Sequence, residues 1–101
     1  DRTWFALASY NMGFGHIEDA RIFAQADGKD ADKWEVVREY LPLLTQEKWY
    51  SQAKRGYARG WEPVQFVDSI RLYMSMLNWV GAEGGLATTI NQVEAEKTKK
   101  N

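Results

Sequence analysis

The residues of this chain that can act on a ligand lie in two short segments. The first segment, ASYNMGFGHIEDA at residues 8–20, places Tyr10 and Asn11 directly before two closely spaced glycines. A tyrosine at the end of an apolar helix can direct its hydroxyl into a cleft, and an asparagine amide both donates and accepts hydrogen bonds. The alternative is structural: the ring fills the core and the asparagine supplies the turn. Composition and periodicity leave both open.

The second segment, AKRGYARGWEP at residues 53–63, carries three basic residues, two aromatic residues and one carboxylate, Glu62. Acid catalysis on a glycosidic bond needs a carboxyl group in an apolar cleft. Glu62 lies between Trp61 and Pro63, so it can either cap the helix that follows or face such a cleft. The other acidic residues, such as Glu18 and Asp19, are expected at helix starts or on solvated faces.

Several other chemistries are excluded by residue types and spacing. The segment GFGHIE has Glu18 where a nucleotide-binding loop needs its third glycine, and no strand precedes it. The single histidine, His16, has no HExxH partner, and the chain has no cysteine, so neither a metal nor another cofactor is expected. The net charge of -1 gives no basic surface for nucleic acid.

The elements that position these residues are predicted to be helices, in an all-α chain of about four helices. Residues 3–10 are apolar nearly all round, which predicts a helix buried on most sides. Gly13 is expected to end it in a left-handed conformation and Gly15 to begin the next helix, with Glu18 and Asp19 in its first turn.

The second half of the chain gives two further helix signals. Asp32 and Glu35 have capping-box spacing and predict a helix over residues 33–41, ended by Pro42. A helical turn near residue 46 and a loop over residues 53–63 follow. Pro63 then begins the most regular helix, and residues 82–101 are predicted to be a flexible or marginally helical tail. Two apolar stripes support these helices: Trp34, Val37 and Leu41, and then Val64, Val67, Ile70, Met74 and Leu77.

Both segments resemble motifs of the lytic murein transglycosylases, which have the soluble-transglycosylase, goose-type-lysozyme-like fold. ALASYNMGFGHIEDAR is similar to the Ala-Tyr-Asn-x-Gly-x-Gly motif, and YARGWEPVQFVDSIRLY is similar to the late Glu-x-x-x-Tyr-Val motif. The resemblance covers residues 2–80. It implies a lysozyme-like helical bundle, of which residues 1–81 form the C-terminal part of the catalytic domain.

The resemblance also implies an activity. Such enzymes cleave the β-1,4 bond between N-acetylmuramic acid (MurNAc) and N-acetylglucosamine (GlcNAc) in peptidoglycan without water, leaving a 1,6-anhydromuramoyl end. One glutamate, in a Glu-Ser motif followed by Gly-Leu-Met-Gln, serves as acid and then as base. Neither motif occurs here, so the chain is expected to be inactive alone. Glycan strands are the implied partner, in a periplasmic, outer-membrane setting, with membrane attachment through upstream segments.

Site residues follow from the motifs position by position. Tyr10 matches the tyrosine near the catalytic carboxyl and is assigned a supporting catalytic role. Phe66 stands where the late motif often has tyrosine, and the role of His16 stays open. The resemblance assigns five residues to substrate binding: Asn11, Gly13, Gly15, Glu62 and Tyr73.

A different class of function remains as the alternative. The chain is then a non-catalytic helical module that binds glycan or protein on an aromatic platform of Trp49, Tyr57 and Trp61. In that hypothesis three neighbouring cations meet carboxylates of the ligand: Lys54, Arg55 and Arg59.

Overall fold

The structure, a computed structural model, describes residues 1–83, and this part of the chain contains helices and no strand. The all-α prediction is therefore confirmed for these residues. The described residues divide into two units, the first of Asp1–Asp68 and the second of residues 69–83. The helices are α1 (Arg2–Met12), α2 (Phe14–Ala26), α3 (Trp34–Val37), a 3-10 helix (Leu41–Thr45), α4 (Glu47–Tyr50) and α5 (Trp61–Glu83).

A single residue, Gly13, joins α1 to α2. It is the last cap of one helix and the first cap of the next, with a φ of +101°. L side chains rarely adopt this conformation, so the joint requires glycine. The N–H of Gly13 donates to the carbonyl of Ser9 at 2.7 Å. Because α2 already begins at Phe14, the prediction that Gly15 caps it was wrong, and Glu18 and Asp19 lie beyond its first turn.

The core of the first unit is built around Trp34, which is fully buried. The ring of Phe5 meets it edge-on, with ring centroids 5.6 Å apart. The predicted stripe is confirmed, because Val37 and Leu41 are also fully buried. Helix α1 contributes one face only: Ala8 is buried, whereas Tyr10 is 87% exposed. The prediction that α1 is buried on most sides was therefore wrong within the described chain.

The start of α3 differs from the capping-box prediction. Lys33, not Asp32, is the cap residue, and its own side chain makes no capping hydrogen bond; the N–H of Trp34 donates instead to Oδ2 of Asp1 at 3.4 Å. The carboxylate of Asp32 accepts instead from Nη2 of Arg21 at 2.7 Å. Nη1 of Arg21 donates to Glu18 at 2.6 Å and Nε to the carbonyl of Ala31 at 3.0 Å. The hydrogen bond to Glu18 raises the pKa of Arg21 above its ordinary value, so Asp32 is held by a lasting charge and is not available as a cap.

The loop of residues 51–60 leads into α5 through a close backbone contact. A Cβ on Gly60 would lie 1.7 Å from the carbonyl oxygen of Leu41, so only glycine lets the two backbones meet. Helix α5 begins at Trp61, two residues before the predicted start at Pro63. Val67 on its second turn is fully buried in the core of the first unit.

The second unit contains the remainder of α5 within the described residues. The predicted helix is confirmed and continues through Gly81, but Met74 and Leu77 of its stripe are exposed, as are Leu72, Met76 and Trp79. No helix among residues 1–83 combines the length and apolarity that a membrane span requires. The tail predicted for residues 82–101 lies outside the described residues from residue 84 onward.

The conformation of Gly13 gives a first prediction. Gly13→Ala lowers the free energy of unfolding by about 1–3 kcal/mol, because alanine is strained at positive φ, although a Cβ there meets no atom within 4 Å. The control is Gly81→Ala, which lies in α5 with equally open space and should raise helix stability by about 0.5–1 kcal/mol. Urea unfolding followed by circular dichroism measures both. Equal effects of the two substitutions contradict the assigned geometry.

Tyr40 gives a pH prediction. Its hydroxyl donates to Oδ2 of Asp27 at 2.7 Å, and this bond, together with burial, raises the pKa of Tyr40 above its ordinary value near 10. The unfolded chain therefore loses this proton at a lower pH than the folded chain, so stability falls as the pH rises above about 10. Comparison with Tyr40→Phe isolates the effect: the stability difference between the two proteins should shrink between about pH 9 and 11. A stability difference that does not change with pH contradicts the hydrogen bond assigned between Tyr40 and Asp27.

Candidate functional site

The corner between α1 and α2 presents Tyr10 and Asn11 to the outside. Both lie in the last turns of α1, and Tyr10 is 87% exposed while Asn11 is also exposed. The structural alternative, in which the Tyr10 ring fills the core, is therefore wrong. Because Gly13 reverses the chain within one residue, Gly15 follows directly behind the same corner. Four of the assigned residues thus share one surface of the first unit.

The sequence predicted that Gly15 begins α2, but the structure gives another reason for a glycine at this position. It lies inside α2, and a Cβ there would come within 2.8 Å of Nε of Arg55. The Arg55 side chain therefore lies directly against the corner. Beside it, Nδ1 of His16 is buried and has no hydrogen-bond partner among residues 1–83. The role of His16 stays open.

The loop of residues 51–60 is fixed to α2 by Asp19, which sequence reasoning missed. Asp19 is only 4% exposed, and its Oδ2 accepts the backbone N–H of Arg55 at 2.9 Å. Nearer the end of the loop, the N–H of Ala58 donates to the carbonyl of Leu44 at 3.2 Å. The signal that could have found Asp19 is its helical position, beside Ala20 and four residues before Phe23 on the apolar face of α2.

Glu62 lies in the first turn of α5 and is engaged by Arg59. Oε1 of Glu62 pairs with Nε of Arg59 at 3.0 Å, and both side chains remain partly exposed. The Arg59 guanidinium also lies over the ring of Trp61, 4.9 Å from its centroid. Glu62 is therefore a charge-paired acceptor at the end of the loop, whereas the sequence left open whether it caps α5 or faces a cleft.

The remaining predicted residues divide between the units. Tyr73 lies on the second-unit part of α5, where it is exposed. Of the aromatic residues in the alternative function, Trp49 packs edge-on against Phe23 and Tyr40 with ring centroids 5.2 and 6.5 Å apart, whereas Tyr57 and Trp61 are exposed. Tyr57 packs against Tyr50 in the same way.

Two further features of the first unit do not involve the assigned residues. A cavity of about 750 Å³ lies between α1 and α2, floored by Phe5, Phe14 and Ile17 and bordered by Arg21 and its two carboxylate partners. All three guanidinium nitrogens of Arg21 donate hydrogen bonds within the first unit. We therefore assign this edge of the cavity a structural role. Within residues 1–83, no group of three histidine or acidic side chains is placed to hold a metal ion.

The bond between Asp19 and Arg55 predicts a graded loss of stability. Asp19→Ala leaves the N–H of Arg55 without its acceptor and should lower the free energy of unfolding by about 1–3 kcal/mol. Asp19→Asn keeps an oxygen acceptor and should cost less. Amide hydrogen exchange at Arg55 should accelerate in the alanine variant. Glu39→Ala is the control, because its ion pair with Arg38 is 3.7 Å long and exposed and should change stability by at most about 1 kcal/mol.

Comparison with known proteins now bears on this geometry. No protein-family model matches the chain. Over 80 residues it is 59% identical to membrane-bound lytic murein transglycosylase F of Hahella chejuensis, which covers 79% of this chain and 16% of that protein. It is 61% identical over 77 residues to the same enzyme of Marinobacter nauticus, covering 76% of this chain and 15% of that protein.

A third relative, from Stutzerimonas stutzeri, is 59% identical over 80 residues and again covers 79% of this chain and 16% of that protein. The chain thus spans about one sixth of the length of the curated relatives that it matches. The similarity to lytic murein transglycosylases that the two motifs indicated is confirmed. The chain belongs to the family of membrane-bound lytic murein transglycosylase F, as a segment of such a protein.

Proposed function

We propose that this chain supplies one wall of the glycan groove in a peptidoglycan lytic transglycosylase domain, as its C-terminal part. The observation that carries the proposal is the exposure of Tyr10 and Asn11 at the α1–α2 corner. An exposed tyrosine offers a ligand both a ring face and a hydroxyl group. Here the hydroxyl and the amide stand together on an open surface of a well-packed unit.

The chemistry of the proposed reaction divides between this chain and a glutamate outside it. That glutamate protonates the glycosidic oxygen as the C1–O bond of MurNAc breaks. As a carboxylate it then takes the proton from the C6 hydroxyl, whose oxygen bonds to C1 and closes the anhydro ring. No water is consumed. Tyr10 contributes a hydroxyl that can donate to this carboxylate or to the sugar, and Asn11 can hold a sugar N-acetyl or hydroxyl group.

Glu62 and Gly15 have supporting places in this proposal. Glu62, held by Arg59, offers acceptor oxygens to sugar hydroxyls at the far end of the loop. Gly13 lets the chain turn at the corner, and Gly15 leaves space for the Arg55 side chain beside it. The substrate-binding role of Tyr73 stays a prediction from the motif; the residue is an exposed ring on the second-unit part of α5. The relatives are membrane-bound murein enzymes by name, which supports a cell-envelope location. Within the envelope, we propose the periplasm next to the outer membrane.

The decisive experiment uses a full-length relative as host. The matching 80-residue segment of the Hahella chejuensis enzyme is replaced by that of this chain, and release of anhydromuropeptides from purified sacculi is measured. We expect the hybrid to be active and Tyr10→Phe to lower kcat by about ten- to a hundredfold, because one positioned hydrogen bond to the reacting groups is lost.

Two controls make this result specific. Tyr50→Phe changes a half-buried tyrosine outside the corner and should leave kcat unchanged. The isolated 101-residue chain should release no anhydromuropeptide. Full activity of the hybrid that carries Tyr10→Phe would contradict the supporting role of Tyr10. Release by the isolated chain contradicts the proposal that the acid lies elsewhere.

A further inference from the structure

Arg55 is held at the α1–α2 corner by two separate contacts. Its backbone N–H donates to the buried carboxylate of Asp19 at 2.9 Å. Its side chain runs across Gly15, where a methyl group would lie 2.8 Å from Nε and 3.0 Å from Cγ. A buried acid thus fixes the backbone, and the missing side chain at Gly15 leaves the space in which the arginine lies.

The charge of Arg55 is not neutralised by a neighbour. Among residues 1–83, no carboxylate lies within 4.0 Å of its guanidinium, whereas Arg21, Arg38 and Arg59 each pair with at least one. Asp19 engages the backbone of Arg55 and not its side chain. Arg55 is an exposed residue, and its side chain lies beside Gly15.

A positioned arginine with open donors is suited to carboxylate recognition. Its planar fork can donate two parallel hydrogen bonds to a carboxylate. Its backbone is already bonded to Asp19, which reduces the entropy lost on binding. Lys54, the adjacent cation, is exposed and has no comparable placement. Residues 51–60 carry three cations and no acid, and Glu62 offsets only Arg59. The surface next to the corner is therefore cationic, with Arg55 as its fixed member.

The geometry points to Arg55 as the residue that selects carboxylate-bearing glycan at the corner of Tyr10 and Asn11. This inference rests on the proposed function. The ligand is a peptidoglycan oligosaccharide whose sugars occupy the corner and whose carboxylate pairs with Arg55. Two sources of that carboxylate exist: the lactyl acid of a peptide-free MurNAc, and the acids of a stem peptide, which blocks the lactyl acid by an amide bond.

The test is a titration of the 101-residue chain with three ligands, followed by amide chemical shifts. The ligands are a neutral GlcNAc tetramer, a peptide-free GlcNAc–MurNAc tetrasaccharide, and the same tetrasaccharide with stem peptides. Arg55→Gln should weaken binding of at least one acidic ligand about tenfold, the effect of losing hydrogen bonds to a charged group. The acidic ligand affected identifies the source, and affinity for the neutral tetramer should stay the same.

Lys54→Gln and Arg55→Lys are the matched variants. Lys54→Gln removes the same charge one residue away and should change affinity less than about twofold, because exposed, unplaced charges contribute little. Arg55→Lys keeps the charge without the fork and should restore part of the binding. Unchanged amide spectra away from residue 55 show that each variant is folded.

Three results overturn the inference. Equal losses in Lys54→Gln and Arg55→Gln mean that diffuse charge, not Arg55, attracts the ligand. Equal losses for neutral and acidic ligands in Arg55→Gln assign Arg55 a structural role only. In either of these two outcomes, the proposed function is still supported if the neutral tetramer binds at Tyr10 and Asn11. If no ligand shifts the amides of Tyr10 and Asn11 in the unsubstituted chain, the proposed glycan groove fails, and the inference fails with it.

Discussion

The bond from the backbone of Arg55 to the buried carboxylate of Asp19 is the interaction on which the site depends. A buried carboxylate is costly unless it is hydrogen-bonded, and this one takes a donor 36 residues away in sequence. The loop of residues 51–60 has no helix or strand of its own, so its backbone groups need partners elsewhere. Asp19 provides one partner at the middle of the loop, and Leu44 provides another at Ala58.

The same bond connects the two motifs of the chain. Gly13 turns α1 into α2 within one residue, which places Gly15 and Asp19 in the first two turns of α2. Arg55 meets both of them, one through its side chain and one through its backbone. The segment that ends in Glu62 is therefore attached to the segment that begins with Tyr10 through backbone geometry, before any ligand is present. Such prior ordering reduces the entropy lost on binding.

Much of the fold could be predicted from the sequence, because helix periodicity is a local property. The stripe of Trp34, Val37 and Leu41 indicated the core correctly. The start of α3 could not be predicted, because Asp32 accepts a hydrogen bond from Arg21 of α2. A contact between residues 11 apart in sequence is not visible in the local spacing of a helix start. The predicted start of α2 was wrong because one glycine, Gly13, caps both helices, and the spacing of residues does not reveal whether one residue or three separate them.

The candidate site was predictable to a different extent. Tyr10 and Asn11 were found from a motif, whereas their exposure depends on which face of α1 the core covers. Asp19 was missed because acidic residues near a helix start are usually solvated, and its burial results from a loop that arrives from residue 55. Gly15 was recognised as important, but its reason, the space for the Arg55 side chain, exists only in three dimensions.

The described carboxylates indicate which part of the chemistry this segment can supply. A general acid for glycoside cleavage needs a carboxyl group in an apolar setting without a cation beside it. Glu62 is paired with Arg59, and Glu18 is paired with Arg21. Asp19 is buried, but its carboxylate is occupied by a backbone N–H. Each of these three carboxylates is already engaged within the described chain, which supports the proposal that this segment holds the glycan for an acid outside it.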